Sequence, residues 1–262
     1  MKTKNKNYIN NEWVEAAGGD SFEVENPFNE KIIATVPYSK EKDVDNAVTV
    51  AKSAWKDWKT LGSLDMRDLL REVAVKSRNH DHEIAKIIVA ESGKPLIECL
   101  DEIEWIASIF EYYSEIGRDQ KGRVVAPVVS RSMSMVVKEP YGVVGCIVPW
   151  NYPLLLMAWK AAPALAAGNT LVIKPSEYTP LSIMRWLEVA CDHLPRGVVN
   201  MITGDGVTGS YLVEHSDTRV IAFTGSVDTG KKIAMMAAKQ LKKTSLELGG
   251  NDPLIICNDL ND

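Results

Sequence analysis

Residues 142–148 read GVVGCIV, and the same kind of apolar run returns four more times: NTLVIK at 169–174, VVNMIT at 198–203, RVIAFTG at 219–225 and KTSLEL at 243–248. Between them lie stretches of helical character: LLLMAWKAAPALAAG (154–168), LSIMRWLEVACDHL (181–194), TGSYLVEH (208–215) and TGKKIAMMAAKQL (229–241). Continuous apolar strands separated by helices predict a parallel sheet covered on both faces. The fold class is therefore α/β, a doubly wound, Rossmann-like parallel sheet. In such sheets ligands bind outside the carboxyl ends of the strands. LIIC at 254–257 is expected to complete the run as a further strand.

Upstream the pattern differs. YINNEWV (8–14) predicts two short strands around Asn10-Asn11, and FEVENPFNEKIIATVPY (22–38) predicts two more around NPFN. Val44, Ala47, Val48, Ala51, Trp55 and Trp58 then fall at helical spacing. A second helical stretch runs from about Leu64 to a stop at Gly93 and Pro95. A third runs from Leu96 to Ile116, with Ile103, Ile106, Ala107, Phe110 and Tyr113 on one stripe. These three helices are expected to be packing elements without chemistry of their own. From Arg123 to Lys138 the β-branched, alternating RVVAPVVSRSMSMVVK predicts a protruding β-ribbon, or a strand that pairs outside this segment.

Composition narrows the class. The chain has 262 residues, 30 basic against 35 acidic, for a formal charge of −5. That balance gives no support to a nucleic-acid partner, which normally shows a basic excess gathered in patches. The basic start, MKTKNK, is not followed by an apolar run of signal length. The most apolar stretch carries Lys160 and Pro163 and is too short and interrupted for a membrane span. Four cysteines (Cys99, Cys146, Cys191, Cys257) form no CxxC pair and have no histidine at ligand spacing. Neither a disulfide framework nor a metal site is expected, and a cytoplasmic location is.

Five successive strand ends carry polar or glycine-rich residues: Trp150-Asn151-Tyr152-Pro153, Lys174-Pro175-Ser176-Glu177, GDGVTG from Gly204, SVDTG from Ser226, and GGNDP from Gly249. GDGVTG satisfies the GxGxxG pattern, but no acidic residue ends the next strand, as a dinucleotide fingerprint would want. By motif alone this turn is either a dinucleotide contact or a plain tight turn. The turn from Gly225 to Gly230 also opens a helix, where backbone amides favour an anion. Lys174 and Glu177 are either an exposed ion pair of little worth or a fork at a sheet edge.

PWNYP, KPSE, FTGS followed by TG, and LELGG, in this order and spacing, resemble the coenzyme-binding half of the aldehyde dehydrogenase superfamily. The resemblance spans essentially the whole chain and includes ESGKP near Gly93 and PYGVVG near Gly142. It implies coenzyme contacts at Ile147, Trp150, Lys174, Ser176, Glu177, Gly206, Gly209, Phe223, Gly225, Ser226 and Leu248. The pyrophosphate is expected at Gly225-Ser226 and the adenine side along Gly206 and Gly209. The Lys174–Glu177 fork would grip both hydroxyls of an adenosine ribose, and its carboxylate would repel a 2′-phosphate. NAD is thus expected ahead of NADP. Asn151 takes the role of the oxyanion donor, and Glu247 that of the base that activates water against a thioester. Glu247, between Leu246 and Leu248, is expected to be partly desolvated. Tyr152 and Trp159 match aromatics that hold cationic aldehydes in some relatives, although a structural role for Trp159 is the commoner reading.

The resemblance also sets a limit. The family's nucleophilic cysteine lies a few dozen residues beyond the LELGG glutamate, and Cys146 and Cys257 fall in apolar strand settings where a thiol behaves as a small hydrophobe. The expectation is a chain without its catalytic domain, inactive by itself. Residues 1–122 and 139–262 would form the coenzyme-binding domain and 123–138 an oligomerisation ribbon, with a homo-oligomer in the full-length form. A non-catalytic dinucleotide-binding module is the alternative.

Overall fold

The computed structural model describes residues 5–119 and 121–259; the first four residues of the basic start and the last three of the chain lie outside that range. Two short hairpins open the chain, β1 (Asn7–Ile9) with β2 (Glu12–Val14), and β3 (Ser21–Asn26) with β4 (Lys31–Pro37). Asn10 and Asn11, both at φ 59, make the first turn, a left-handed conformation that asparagine tolerates. Helix α1 (Glu41–Trp58) follows, and Asp43 in its first turn accepts the amides of Lys40 and Ala17.

The single helical stretch expected over 64–92 is two helices, α2 (Ser63–Asn79) and α3 (Asp81–Ser92). His80 between them leaves the helical region at φ −118, ψ 16. Asn79-His80-Asp81 is a run of residues that hydrogen-bond locally at the expense of the helix. Gly93, at φ 75, ends α3 in the left-handed conformation that favours glycine. Helix α4 (Leu96–Ile116) matches the third expected stretch. The ribbon consists of β5 (Arg123–Val125) and β6 (Ser134–Val136), antiparallel to each other, with their valines and methionines exposed.

The alternating half follows as β7 (Val143–Ile147), α5 (Pro153–Ala166), β8 (Thr170–Lys174), α6 (Leu181–Ala190), β9 (Val199–Met201), α7 (Gly206–Glu214), β10 (Thr218–Gly225), α8 (Val227–Ala238) and β11 (Lys243–Leu248). The seven strands of the main sheet run in the order β11-β10-β7-β8-β9-β1-β2. The five from the alternating half are parallel; the first hairpin extends the sheet antiparallel at the β9 edge. Period-two burial splits the core. Val144, Cys146 and Val148 pack with α2 to α6, whereas Val143 and Ile147 pack with α1, α7 and α8.

One expected strand is absent. LIIC is coil, and Leu254, Ile255 and Ile256 are exposed. The described residues offer β11 a neighbour on its β10 side only, so this apolar segment has no sheet to join. Cys257 is exposed with it, contrary to the buried setting expected.

Candidate functional site

The topological switch of the sheet lies between β7 and β10. From β7 the chain steps outward to β8 and β9, then returns to β10 on the other side. A crevice at the carboxyl ends follows from that reversal. The structure has a cleft of about 910 Å³ there. Ten of the eleven residues expected at a coenzyme line it: Ile147, Trp150, Lys174, Ser176, Glu177, Gly206, Gly209, Phe223, Gly225 and Ser226. Leu248 is the exception. Its side chain lies over Gly230, where an added Cβ would come within 2.5 Å of Leu248 Cδ2, so it closes β11 against α8.

The glycines of GDGVTG divide by role. Gly204, at φ 149, would place a Cβ 2.1 Å from Thr208 Oγ1, so the turn itself demands glycine there. At Gly206 a Cβ would meet nothing within 4 Å, and at Gly209 only Lys174 Cδ and Ile147 Cδ1, at 3.8 and 3.9 Å. Packing requires neither, and both face the cleft. Their absent side chains leave its floor open to a flat ligand.

Lys174 is not an exposed partner of Glu177. It is 4% exposed, with its ammonium 3.6 Å from Glu177 Oε2. Burial pulls its pKa below the ordinary lysine value, against the pull of Glu177 and Asp205. A buried, incompletely paired ammonium at a cleft wall is costly and is poised to donate to a polar ligand. Ser226 caps α8, accepting the Thr229 amide at 3.3 Å, and the amino end of α8 opens on the same cleft.

Asn151 is exposed in the loop between β7 and α5, and Glu247 sits on β11 opposite Thr224 of β10. Glu247 is exposed, so the desolvation expected for it is absent. Its strand neighbours point their apolar side chains elsewhere, and the described residues lay no element over it. Lys160, from α5, donates to Thr224 Oγ1 at 2.5 Å; burial lowers its pKa, against the opposing effect of Cys146 and Glu247. Tyr152 is half-buried, and the Lys94 ammonium already lies 3.6 Å from its ring centroid. Trp105 stands beside it, ring centroids 6.3 Å apart. Trp159 is exposed.

The amino-terminal helices carry two buried acidic groups that brace the sheet's helices. Glu102 of α4 is fully buried and accepts the amides of Leu154 and Leu155, at 2.9 and 3.0 Å, at the start of α5. Its other oxygen is 2.5 Å from Lys94 Nζ. Glu91 of α3 does the same for α6, accepting from Leu181 and Ser182 at 2.7 and 3.0 Å. These carboxyl groups satisfy orphan amides of the two helices; Glu102 anchors the end of the loop bearing Trp150 and Asn151, and Glu91 the end of the one bearing Ser176 and Glu177. The cleft also contains residues that sequence reading missed, among them Asp205, Thr224, Thr229, Met235 and Met236. The α8 members were detectable in principle, since 229, 232, 233 and 236 share one helical face counted from Ser226.

Among the described residues no group of three or more His, Cys, Asp or Glu could hold a metal, and no helix is long and apolar enough to cross a membrane. Comparison with known proteins places the chain in a family. A model of the aldehyde dehydrogenase family matches residues 13–262. A betaine aldehyde dehydrogenase of Bacillus subtilis (strain 168) is 38% identical over 256 residues, covering 96% of this chain and 52% of that protein. Aminoaldehyde dehydrogenase 2 of Zea mays is 39% identical over 265 residues, covering 97% and 52%. Among solved structures, betaine aldehyde dehydrogenase from Staphylococcus aureus in complex with NAD+ superimposes with a TM-score of 0.91 at 35% identity, covering 95% of this chain and 50% of that one. An NADP dependent enzyme of E. coli gives 0.92 at 35% identity, covering 95% and 52%. The chain spans about half the length of these relatives.

Proposed function

The chain belongs to the aldehyde dehydrogenase family, and from that premise we propose that its cleft binds NAD in an enzyme that oxidises an aldehyde to a carboxylic acid. One observation carries the reading: a buried lysine beside a carboxylate, over a floor of side-chain-free glycine, at the switch point of a parallel sheet. The residues present fit a dinucleotide. Lys174 and Glu177 would hold the adenosine ribose, Gly206 and Gly209 would admit the adenine, and the amino end of α8 at Ser226 would face the pyrophosphate. Bound NAD supplies the hydride acceptor.

Two of the chain's own residues would serve the rest of the reaction, together with a thiolate. A thiolate adds to the aldehyde carbon, and Asn151 donates its side-chain amide to the oxygen on which charge develops. Loss of hydride from that carbon leaves a thioester. Glu247 then takes a proton from water, whose oxygen attacks the thioester, releasing the acid and the thiol. Burial pushes the thiol of Cys99 up to about 11 and that of Cys146 up to about 12, and raises Cys191 as well. A nucleophile needs the opposite shift, and Cys257, although exposed, lies in coil that joins no sheet, so we assign the thiolate to a segment outside these residues. That segment would also cover Glu247 and supply its desolvation.

The names of the relatives favour a cationic aldehyde of the betaine or aminoaldehyde type. Lys94 occupies a face of Tyr152, which leaves exposed Trp105 and Trp159 as aromatic surfaces for such a cation. The exposed ribbon edges would pair with another subunit in a homo-oligomer. The alternative, a dinucleotide-binding module without catalysis, is favoured only by the burial of those three thiols. The test fuses this chain to the carboxyl-terminal half of the Bacillus relative and follows NADH formation from betaine aldehyde. The fusion is expected to turn over, with Asn151→Ala slower by roughly 10²–10³-fold, and the unfused chain to be inactive. Turnover by the unfused chain that Cys257→Ser removes would overturn the assignment of the thiol.

A further inference from the structure

Helix α7 opens on the second glycine of GDGVTG, and its amino end faces the cleft. Free first-turn amides and the helix dipole make such an end an anion site. In this chain the place is already taken by an internal carboxylate. Asp205 is the N-cap of α7 and accepts the Val207 amide at 2.7 Å. The Tyr38 hydroxyl and the Thr208 amide, both near this carboxylate, favour its charged form. Partial burial pushes Asp205 up, but these donors and Lys174 outweigh it and hold the carboxyl below its usual range. The charge is therefore permanent at neutral pH and fixed in place by groups on two different segments.

Lys174 is the buried cation at this end of the cleft, and it faces two carboxylates, Glu177 and Asp205. The ribose end thus has an excess of negative charge. The lysines that line the opposite wall, Lys232 on α8 and Lys239 at its carboxyl end, are exposed, and Lys239 lies 3.7 Å from Glu214. We propose that Asp205 is a specificity-determining residue: it fills the amino end of α7 with a fixed negative charge beside Lys174 and Glu177, and so closes that end to the 2′-phosphate of NADP. The inference rests on the coenzyme reading above and adds a second carboxylate with a different job. Glu177 discriminates by accepting hydrogen bonds from ribose hydroxyls. Asp205 spends its acceptor capacity on the protein and acts by exclusion.

The experiment is calorimetric titration of NAD and of NADP into the purified chain, with Asp205→Asn, Asp205→Ser and Glu177→Gln in parallel. Asn and Ser cap helices about as well as Asp, so both variants remove the charge while keeping the turn; thermal melts check that. The like-charge repulsion removed predicts an NADP affinity higher by roughly tenfold or more in both Asp205 variants. The gain should shrink at high salt. Glu177→Gln is expected to weaken NAD instead. NADP affinity equal to wild type in both Asp205 variants, with NAD still bound, would overturn the role of Asp205 alone. A wild-type chain that binds neither coenzyme would overturn the coenzyme reading, and the Asp205 assignment with it.

Discussion

Replacing Glu102 by alanine should be among the most damaging single changes in this protein, and the cost can be built from its contacts. The substitution removes the acceptor of the Leu154 and Leu155 amides and the partner of Lys94, whose side chain is only 13% exposed. Breaking a buried ion pair by deleting one member costs about 3–5 kcal/mol, and the lost helix cap lies within that figure. For a chain of this size about 4 kcal/mol lowers the melting temperature by roughly 8–16 °C. Glu102→Gln separates the parts. Its amide oxygen can still accept both α5 amides, as Oε1 does now, so only the charge pair with Lys94 is lost. The glutamine variant should fall between wild type and alanine, and a double-mutant cycle with Lys94→Met should show coupling of at least about 1 kcal/mol. Urea unfolding followed by tryptophan fluorescence reads wild type and every variant alike. An alanine variant within about 1 kcal/mol of wild type would refute the idea that Glu102 ties α4 to the start of α5.

Glu91 yields a pH prediction. Burial pushes its carboxyl from an ordinary 4.5 up to about 8. A folded pKa above the unfolded one means that the folded state binds more protons between those values, so this contribution to stability is full below about pH 4.5 and is lost as pH rises to about 8. Melting temperatures of wild type should therefore decline relative to Glu91→Gln across that window, and parallel profiles would count against the shift. In the fused enzyme, Glu247→Gln should slow deacylation and leave a rapid first burst of NADH, whereas Asn151→Ala should slow the burst itself. Loss of the burst in the Glu247 variant would place that base in an earlier step.

The doubly wound half was legible because its strands are buried on both faces: GVVGCIV, TLVIK and VIAF have no polar alternation to confuse them with surface hairpins. The switch point followed from topology, and ten cleft residues followed from family motifs at strand ends. What escaped the sequence depends on tertiary partners. Glu91 and Glu102 look like ordinary polar positions on amphipathic helices, and only the approach of α5 and α6 makes them caps. Lys174 and Glu177 were singled out by the family motif, but their spacing in a turn left a surface pair open, and only the walls of the cleft bury the lysine. Asp205 was hidden inside a glycine motif whose flanking positions are written as x. Glu247 and LIIC erred the other way. Their apolar neighbours suggested burial, but a strand at the edge of the sheet buries only what another element covers.

The central claim is that the cleft between β7 and β10 is the coenzyme site, and Gly206 gives direct access to it. A side chain there meets no protein atom within 4 Å of its Cβ, so Gly206→Trp should leave the fold intact and fill the cleft. Calorimetric titration of NAD into the purified chain should show one saturable site in wild type and none in Gly206→Trp, with matching circular dichroism and melting temperature. Equal NAD affinity in the two folded proteins would place the coenzyme elsewhere and contradict the account.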